Sequence, residues 1–301
     1  ACALPTIRKL MNDGFEFDLI DAHYYYPDGV AAGIIAKQLG KPFVVTARGT
    51  DLNLIPQHAY PRKLILQTAE AATASIGVCK ALMDTLAELG ADSSKLHVFR
   101  NGIDLERFHP EDPAIARQNL GLPSDDTILL SVGHLVERKG HHIAIEALSI
   151  LQENTFLVIA GSGPERRPLE ELTRRLGVAD KVRFTGQLPN NELRSWYSAA
   201  SALVLCSSRE GWANVLLESM ACGTPVIASN IWGTPEVVSC DTAGRLMKDR
   251  TAQALANEVA NLLSHPPERA AVRKFAENFS WDETSFAQRA LFESIASAKC
   301  S

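Results

Sequence analysis

The sequence predicts an α/β protein that is built from two doubly wound domains with parallel sheets. Short apolar runs alternate with segments of helical periodicity along the chain, as in repeated βαβ units. The 301 residues are enough for two domains of ordinary size. Hydrophobic residues make up 46% and charged residues 22% of the chain, a composition that supports a sizeable core.

Residues 1–110 are predicted to form the first domain. Its predicted strands are Asp18–Ala22, Phe43–Thr46, Ser75–Val78 and Leu96–Phe99. Its predicted helices are Thr6–Met11, Val30–Leu39, Pro61–Ala71 and Lys80–Leu89. Four strands make a thin doubly wound domain, and the chain opens on Ala1 rather than Met. We therefore expect a first domain that lacks its N-terminal segment.

Residues 111–280 are predicted to form the second domain. Glu111–Ser124, rich in Pro, Asp and Glu, is interpreted as the linker and the entry to this domain. Its predicted strands are Ile128–Val132, Phe156–Ile159, Val182–Thr185, Leu203–Leu205, Val226–Ala228 and Arg245–Met247. Its predicted helices are His142–Leu151, Pro168–Leu176, Asn191–Ala199, Val215–Ala221 and Ala252–Leu263. Residues 281–301 are predicted to form one amphipathic helix that packs back toward the first domain, with Phe286, Leu291, Phe292 and Ile295 at helical spacing.

Charge and composition exclude several classes of protein. The net charge of −5 argues against general nucleic-acid binding, which needs a basic surface. No apolar run approaches the roughly 18 residues of a membrane span, and no signal peptide is visible. The six cysteines are scattered without a C-x-x-C pair, which is typical of a reducing, cytoplasmic compartment.

Two glutamates eight positions apart, Glu210 and Glu218, form the most informative pattern in the chain. Their segment follows a predicted strand and opens a predicted helix, at the sheet edge where ligands of doubly wound folds bind. The helix N-terminus offers N–H groups to a phosphate, Gly211 lets the backbone approach closely, and a fixed carboxylate binds ribose hydroxyls well. The apolar residues around both acids argue against two solvated surface side chains.

The segment from Glu210 to Glu218 resembles the E-x7-E motif of the retaining GT-B glycosyltransferases of family 4. The similarity continues to Glu236 through the family's donor-site signature. Asn101-Gly102-Ile103-Asp104 resembles the family's N-G-V-D segment, and Gly161-Ser162-Gly163-Pro164 resembles its G-x-G-P turn. The resemblance implies a GT-B fold, with two Rossmann-like domains that face a cleft and the first of them incomplete.

The segment from Val132 to Gly140 is predicted to hold the donor's diphosphate. Gly133 permits close backbone approach, and Lys139 supplies positive charge where the leaving group develops negative charge. In the resembled family an Arg commonly follows the first Gly. Here His134 stands in that place. Either Arg138 compensates for the missing Arg, or a neutral His134 donates a hydrogen bond to the diphosphate. A solvated turn is the alternative interpretation of Arg138 and Lys139.

The resemblance also implies the other contacts of the donor. By the resemblance, Glu218 would hold the ribose. From the residues themselves, Glu210 is predicted to act in catalysis with Lys139, Arg138 and Arg48. Backbone groups around Arg183 and Phe184 would hold the nucleobase, with core packing as the alternative for the Phe184 ring. The further predicted donor-binding residues are Gly133, His134, Gly161, Gly163, Gly211, Trp212, Asn214 and Val215.

Two segments that follow strands of the first domain are predicted to face the acceptor. His23 begins an aromatic cluster, Tyr24 to Tyr26, that suits either stacking on sugar rings or loop packing. Many relatives carry H-G-x-D where this chain has Arg48-Gly49-Thr50-Asp51, which argues against a His general base. Arg48 would instead stabilise the departing phosphate or bind an anionic acceptor, and Asp51 would orient it by a bidentate pair.

The sequence favours a retaining glycosyltransferase of polysaccharide or glycolipid biosynthesis that uses a UDP- or GDP-sugar and a glycan or lipid-linked acceptor. We expect no metal and no cofactor, because there is no D-x-D and the adjacent His141 and His142 point different ways on a helix. The alternative is a catalytically impaired sugar-nucleotide binder, since the first domain is thin. Arg166 occupies the third glycine position of G-x-G-x-x-G, which disfavours a dinucleotide oxidoreductase. We expect a cytoplasmic protein, with a peripheral contact to the inner membrane face left open.

Overall fold

The computed structural model describes residues 3–298, which divide into two compact units. One unit contains residues 3–101 and 282–298, and the other contains residues 102–281. Each unit has its own parallel sheet with helices packed on it. The α/β class and the two parallel sheets predicted from the sequence are confirmed, and the first sheet is the smaller.

The first unit has a sheet of four parallel strands that lie side by side in chain order. These strands are β1 (Ile20–His23), β2 (Phe43–Ala47), β3 (Ala74–Gly77) and β4 (Leu96–Val98). Its helices before the second unit are α1 (Ala3–Asn12), α2 (Val30–Leu39), α3 (Thr50–Asn53), α4 (Ala59–Ala71) and α5 (Lys80–Glu88). Every residue of β2 and β3 is buried, as expected for inner strands of a parallel sheet covered on both faces.

The second unit has a sheet of six parallel strands. They are β5 (Thr127–Val132), β6 (Thr155–Ala160), β7 (Val182–Gly186), β8 (Ala202–Leu205), β9 (Val226–Ser229) and β10 (Gly244–Met247). Its helices are α6 (Pro113–Leu120), α7 (His141–Leu148), α8 (Arg166–Arg175), α9 (Asn190–Ala199), α10 (Asn214–Ala221), α11 (Thr234–Val237), α12 (Ala252–Ser264) and α13 (Arg269–Ala276). The core contains apolar side chains from β5, β6 and β8 together with α7 and α12.

The strand order of the second sheet predicts where a ligand would bind. The order is β7-β6-β5-β8-β9-β10, so the chain first builds outward from β5 in one direction and then in the other. In such sheets the connections on either side of the reversal leave a crevice at the carboxyl ends of the two central strands. That crevice lies where β5 and β8 end, at Val132 and Leu205.

The segment Glu111–Ser124, interpreted above as the linker and the entry to the second domain, lies within the second unit but contains the helix α6 rather than a linker. Asp112 caps the helix by accepting from the N–H groups of Ala114 and Ile115, and Pro113 occupies the first turn. Gly121 ends it in the left-handed conformation. The Pro and Asp that suggested a linker are helix-start residues.

The last described helix, α14 (Trp281–Ser297), packs on the first sheet. Ile295 lies against Val44 and Ala74, with Leu291 and Phe292 beside it. Phe286, at helical spacing with them in the sequence, is instead 77% exposed. Residues 299–301, the end of the predicted helix, lie outside the described part of the chain. Within residues 3–298, no helix combines the length and apolar character needed to cross a membrane.

Candidate functional site

The loop after β5 presents a lysine at the crevice of the second sheet. It runs from Gly133 to Gly140, and the aliphatic part of Lys139 lies over Gly133. Gly140 is in the left-handed conformation, and a Cβ there would overlap the carbonyl group of Cys206. The glycine therefore holds the loop against the end of β8.

Lys139 forms an ion pair with Glu210 across the crevice. Its Nζ donates to Oε1 of Glu210 at 2.6 Å, and Ser207 Oγ donates to the same oxygen at 2.6 Å. The side chains of Lys139 and Glu210 are 15% and 9% exposed. The structure thus brings together two residues, predicted as catalytic, that lie on the loops after β5 and β8. Ser207 was not among the predicted site residues, although it belongs to the same sequence segment.

The loop that carries Glu210 leads into α10, which begins at Asn214. Gly211 is buried, and Asn214 is exposed at the first position of the helix. Trp212 is only 7% exposed, and its ring lies 6.1 Å from that of Phe279, centroid to centroid. Of the predicted donor-binding residues in this loop, Asn214 thus offers its side chain to solvent, whereas the Trp212 ring packs in the interior.

Glu218 lies on the second turn of α10 and is held by Tyr197 of α9. The Tyr197 hydroxyl donates to Oε2 of Glu218 at 2.7 Å. Burial raises the pKa of the Glu218 carboxyl, while the hydrogen bond from Tyr197 acts in the opposite direction. Tyr197 was missed in the sequence, because no local pattern connects residues that lie 21 positions apart on different helices.

A pocket of about 240 Å³ opens at the carboxyl ends of β5 and β6. It is lined by Val132, Gly133, His134, Ala160, Gly161, Ser162, Gln187, Leu188 and Leu193. At Gly161 the backbone has a φ of +150°, and a Cβ would overlap the Gly133 carbonyl oxygen, so glycine is required where the two loops touch. Gly163 follows in the same turn, against Leu135.

Arg183 and Phe184 of β7 have side chains that are engaged within the protein. The Arg183 guanidinium donates to the carbonyls of Leu120 and Gly121, each at 2.7 Å. The Arg166 guanidinium lies over the Phe184 ring, 4.4 Å from its centroid. Neither residue lines the pocket, whereas Gln187 and Leu188, just beyond β7, do. The sequence pattern named two residues of β7, whereas the residues that line this pocket follow the strand.

The remaining predicted residues of the loop after β5 differ in exposure. His134 is exposed and lines the pocket, and Arg138 is half-buried. The Arg138 carbonyl accepts from the N–H of Ser208, which links the two loops of the crevice. Within residues 3–298, the Arg138 side chain has no ion-pair partner.

His141 is buried beneath the loop after β5 and is not arranged as a metal ligand. Its Nδ1 lies 2.8 Å from Ser131 Oγ. Burial lowers the pKa of His141 to about 4, so the imidazole is neutral at pH 7. Among the described residues, no group of three or more His, Cys, Asp and Glu side chains is placed to hold a metal ion.

The predicted acceptor-side residues lie at the carboxyl edge of the first sheet. His23 ends β1, and Arg48 follows β2. Arg48 Nε and Nη2 lie 3.1 and 2.6 Å from His23 Nδ1, and Arg48 Nη1 donates to Asn101 Oδ1 at 3.3 Å. Asn101 belongs to the N-G-V-D-like segment and was not predicted to contact Arg48.

Asp51 does not form the predicted bidentate pair with the Arg48 guanidinium. Its carboxylate is fully buried and accepts from the backbone N–H groups of Tyr25, Arg48 and Gly49, at 3.0, 3.1 and 2.8 Å. Burial raises the pKa of Asp51, and these hydrogen bonds oppose the change. Asp51 therefore fixes the turn from which Arg48 projects, because buried N–H groups require acceptors. The Tyr25 side chain is also fully buried and is unavailable for stacking on a sugar.

Comparisons with known proteins identify the family to which the chain belongs. Residues 113–279 match the family described as "Glycosyl transferases group 1", and residues 2–107 match "Glycosyltransferase Family 4". A D-inositol 3-phosphate glycosyltransferase of Frankia alni is 31% identical over 294 residues, covering 89% of this chain and 72% of that protein. The putative teichuronic acid biosynthesis glycosyltransferase TuaC of Bacillus subtilis is 33% identical over 246 residues, covering 80% of this chain and 60% of that protein.

Two solved structures show the same fold. Sucrose-phosphate synthase from Thermosynechococcus elongatus superposes with a TM-score of 0.82 at 26% identity, covering 98% of this chain and 78% of that one. HepE from Anabaena, in complex with UDP and glucose, superposes with a TM-score of 0.85 at 22% identity, covering 96% and 82%. The GT-B fold implied by the sequence motifs is thereby confirmed. The chain belongs to the group 1 glycosyl transferases.

Proposed function

We propose that this glycosyltransferase moves a sugar from a UDP- or GDP-sugar to a glycan or lipid-linked acceptor, with retention, in polysaccharide or glycolipid biosynthesis. The observation that carries the proposal is the Lys139–Glu210 pair at the crevice of the second sheet. A cation and a carboxylate fixed side by side suit a ligand that has a diphosphate next to sugar hydroxyls. The names of the relatives, which concern glycosyl transfer to an inositol phosphate and teichuronic acid, support the class of reaction.

Each end of the donor has a matching group. The pocket of about 240 Å³ suits the nucleobase, and Glu218 suits the ribose hydroxyls. Tyr197 holds Glu218 in place, so the carboxylate needs no rearrangement to accept from a ribose. Lys139 and the N–H groups at the start of α10 suit the diphosphate, and Glu210 suits the hydroxyls of the sugar.

The bond changes of the proposed reaction need no protein base. The bond from the anomeric carbon to the diphosphate oxygen breaks, and the acceptor oxygen bonds to the same face of that carbon. The leaving phosphate takes the acceptor's proton. Lys139 stabilises the negative charge that develops on the leaving group. This proposal assigns no metal ion and no cofactor to the reaction.

The decisive experiment combines donor binding with transfer. Thermal shifts with UDP, GDP and their sugars should identify one base, since a ligand at 100 times its Kd adds about 2.7 kcal/mol to the free energy of unfolding. Glu210→Gln should then lower kcat by about 30- to 1,000-fold, equivalent to about 2–4 kcal/mol of barrier. Glu171→Gln, which removes an exposed carboxylate from α8, is the matched control. Unchanged kcat in Glu210→Gln would reject the role of Glu210.

A sugar-nucleotide binder without transferase activity is the second candidate. The four-stranded first sheet, beside six strands in the second, favours it. Binding of a nucleotide sugar with neither hydrolysis nor transfer to any glycan or lipid-linked acceptor would select this candidate. We further propose that the protein acts in the cytoplasm, at the inner face of the membrane when its acceptor is lipid-linked. The scattered cysteines of the sequence, which form no C-x-x-C pair, support that compartment.

A further inference from the structure

The Arg48 side chain is fixed by uncharged partners. His23 Nδ1 accepts from the edge formed by Nε and Nη2, and Asn101 Oδ1 accepts from Nη1. A guanidinium carries five N–H groups, so these contacts orient Arg48 and leave further N–H groups for a ligand. Because His23 Nδ1 accepts, its proton is on Nε2, which faces Asp21 Oδ2 at 3.2 Å.

The charge of Arg48 is not balanced by a neighbouring carboxylate. Among residues 3–298, the guanidinium makes no ion pair. Asp21 contacts the far side of the His23 ring, and Asp51 accepts from backbone N–H groups. An exposed guanidinium that is oriented but not neutralised is suited to an anionic ligand, which it can bind in a bidentate manner.

The position of this cluster also indicates a ligand site. His23 and Arg48 lie at the carboxyl ends of adjacent parallel strands, the edge at which such sheets bind ligands. The next residue, Tyr24, has a φ of +83° and a ψ of 119°, which is unusual for a bulky residue. Strained backbone of this kind is concentrated at functional sites, so Tyr24 is a second observation at the same edge.

We propose that Arg48, held by His23 and Asn101, binds an anionic group on the acceptor sugar, either a phosphate or a carboxylate. This inference rests on the proposed function, because it supplies the chemical class of the acceptor. Arg48 is the recognition residue, whereas His23 and Asn101 are positioning residues that fix the direction of its guanidinium.

The test uses three sugars that differ only at C6: glucose, glucose 6-phosphate and glucuronate. Their affinities are measured by titrating the Arg48 Nε–Hε NMR signal of the full chain, saturated with UDP or GDP, whichever stabilises it. We expect glucose 6-phosphate or glucuronate to shift this signal, with glucose binding at least about tenfold more weakly. Whichever anionic sugar binds more tightly decides between phosphate and carboxylate.

The variants separate recognition from folding. Affinity is measured by calorimetry. Arg48→Gln should lower the affinity for the preferred anionic sugar by at least about tenfold. Arg48→Lys should lower it by less, because lysine keeps the positive charge but lacks the planar guanidinium. Lys37→Gln removes an exposed cation from α2 and should leave the affinity unchanged. Far-UV circular dichroism and thermal unfolding of Arg48→Gln that match those of the wild type show that the variant is folded, including the first unit that carries Arg48.

The outcomes also distinguish this inference from the proposed function. Two results overturn the anionic acceptor and leave the donor proposal intact. One is that glucose and both anionic sugars bind equally well, and the other is that none of the three sugars binds while the nucleotide does. Competition between the nucleotide and glucose 6-phosphate overturns it too, since Arg48 would then contact the donor phosphate. Failure of every nucleotide to bind rejects the proposed function, and the acceptor role falls with it.

Discussion

The buried His141 predicts a strong dependence of stability on pH in the second unit. Its pKa is lowered to about 4 by burial, and the charges of Lys139 and His142 further disfavour its protonation. In the unfolded chain the same imidazole has an ordinary pKa of about 6.5. Unfolding therefore takes up a proton between these two pH values, and stability must fall as the pH is lowered through that range.

The size of the effect follows from the two pKa values. The full difference corresponds to about 3 kcal/mol, which is present above pH 6.5 and lost by pH 4. Between pH 7 and pH 5 the loss is about 2 kcal/mol. Glu218 changes stability in the opposite direction, because burial raises the pKa of its carboxyl. Comparison with a His141 variant cancels that contribution.

The assay is urea unfolding followed by tryptophan fluorescence at several pH values. All four tryptophans lie within residues 102–281, so the signal reports the second unit. His141→Asn keeps a polar atom near Ser131 without a titrating ring. Between pH 7 and pH 5, the free energy of unfolding of this variant should fall by about 2 kcal/mol less than that of the wild type. His142→Asn removes a half-buried imidazole from the same helix and is the matched control. Equal pH dependence in wild type and His141→Asn would refute the argument.

Two further predictions concern stability. Gly161→Ala should lower the free energy of unfolding by at least about 2 kcal/mol and weaken nucleotide binding, because the added Cβ overlaps the Gly133 carbonyl. Gly177 also has a positive φ, but the space around its Cβ position is open, so Gly177→Ala should lower the free energy of unfolding by only about 1 kcal/mol. Arg269→Ala should lower the free energy of unfolding by about 3–5 kcal/mol, because this half-buried guanidinium donates to three carbonyls and a hydroxyl. Arg174 is exposed, so Arg174→Ala should change the free energy of unfolding little. Urea unfolding measures all four variants, and equal losses within either pair would contradict the reasoning.

The strands could be predicted because buried parallel strands are short apolar runs between turn residues. The predicted Ile128–Val132 differs from the observed β5 by one residue, and Val226–Ala228 lies within β9. The helix α6 was missed because Pro and Asp serve both linkers and helix N-termini. Only the placement of the chain in three dimensions separates the two cases.

The motifs located both carboxylates but not their partners. The Lys139–Glu210 pair spans 71 residues, and the Tyr197–Glu218 hydrogen bond spans 21. Neither pairing follows from local sequence, because the strand order decides which loops meet. Asp51 illustrates the same limit: its spacing from Arg48 suggested a side-chain pair, but burial of the turn makes backbone N–H groups its partners.

If the proposed function is correct, the pairing of Lys139 with Glu210 also predicts which molecules bind well in the crevice. A bare anion such as inorganic phosphate gains little there, because the lysine charge is already compensated and the carboxylate repels the newcomer. A nucleotide sugar can interact with both groups at once. Its hydroxyls can donate to the Glu210 carboxylate while its diphosphate accepts from Lys139. We therefore expect inorganic phosphate to compete poorly with the proposed nucleotide sugar at this pair.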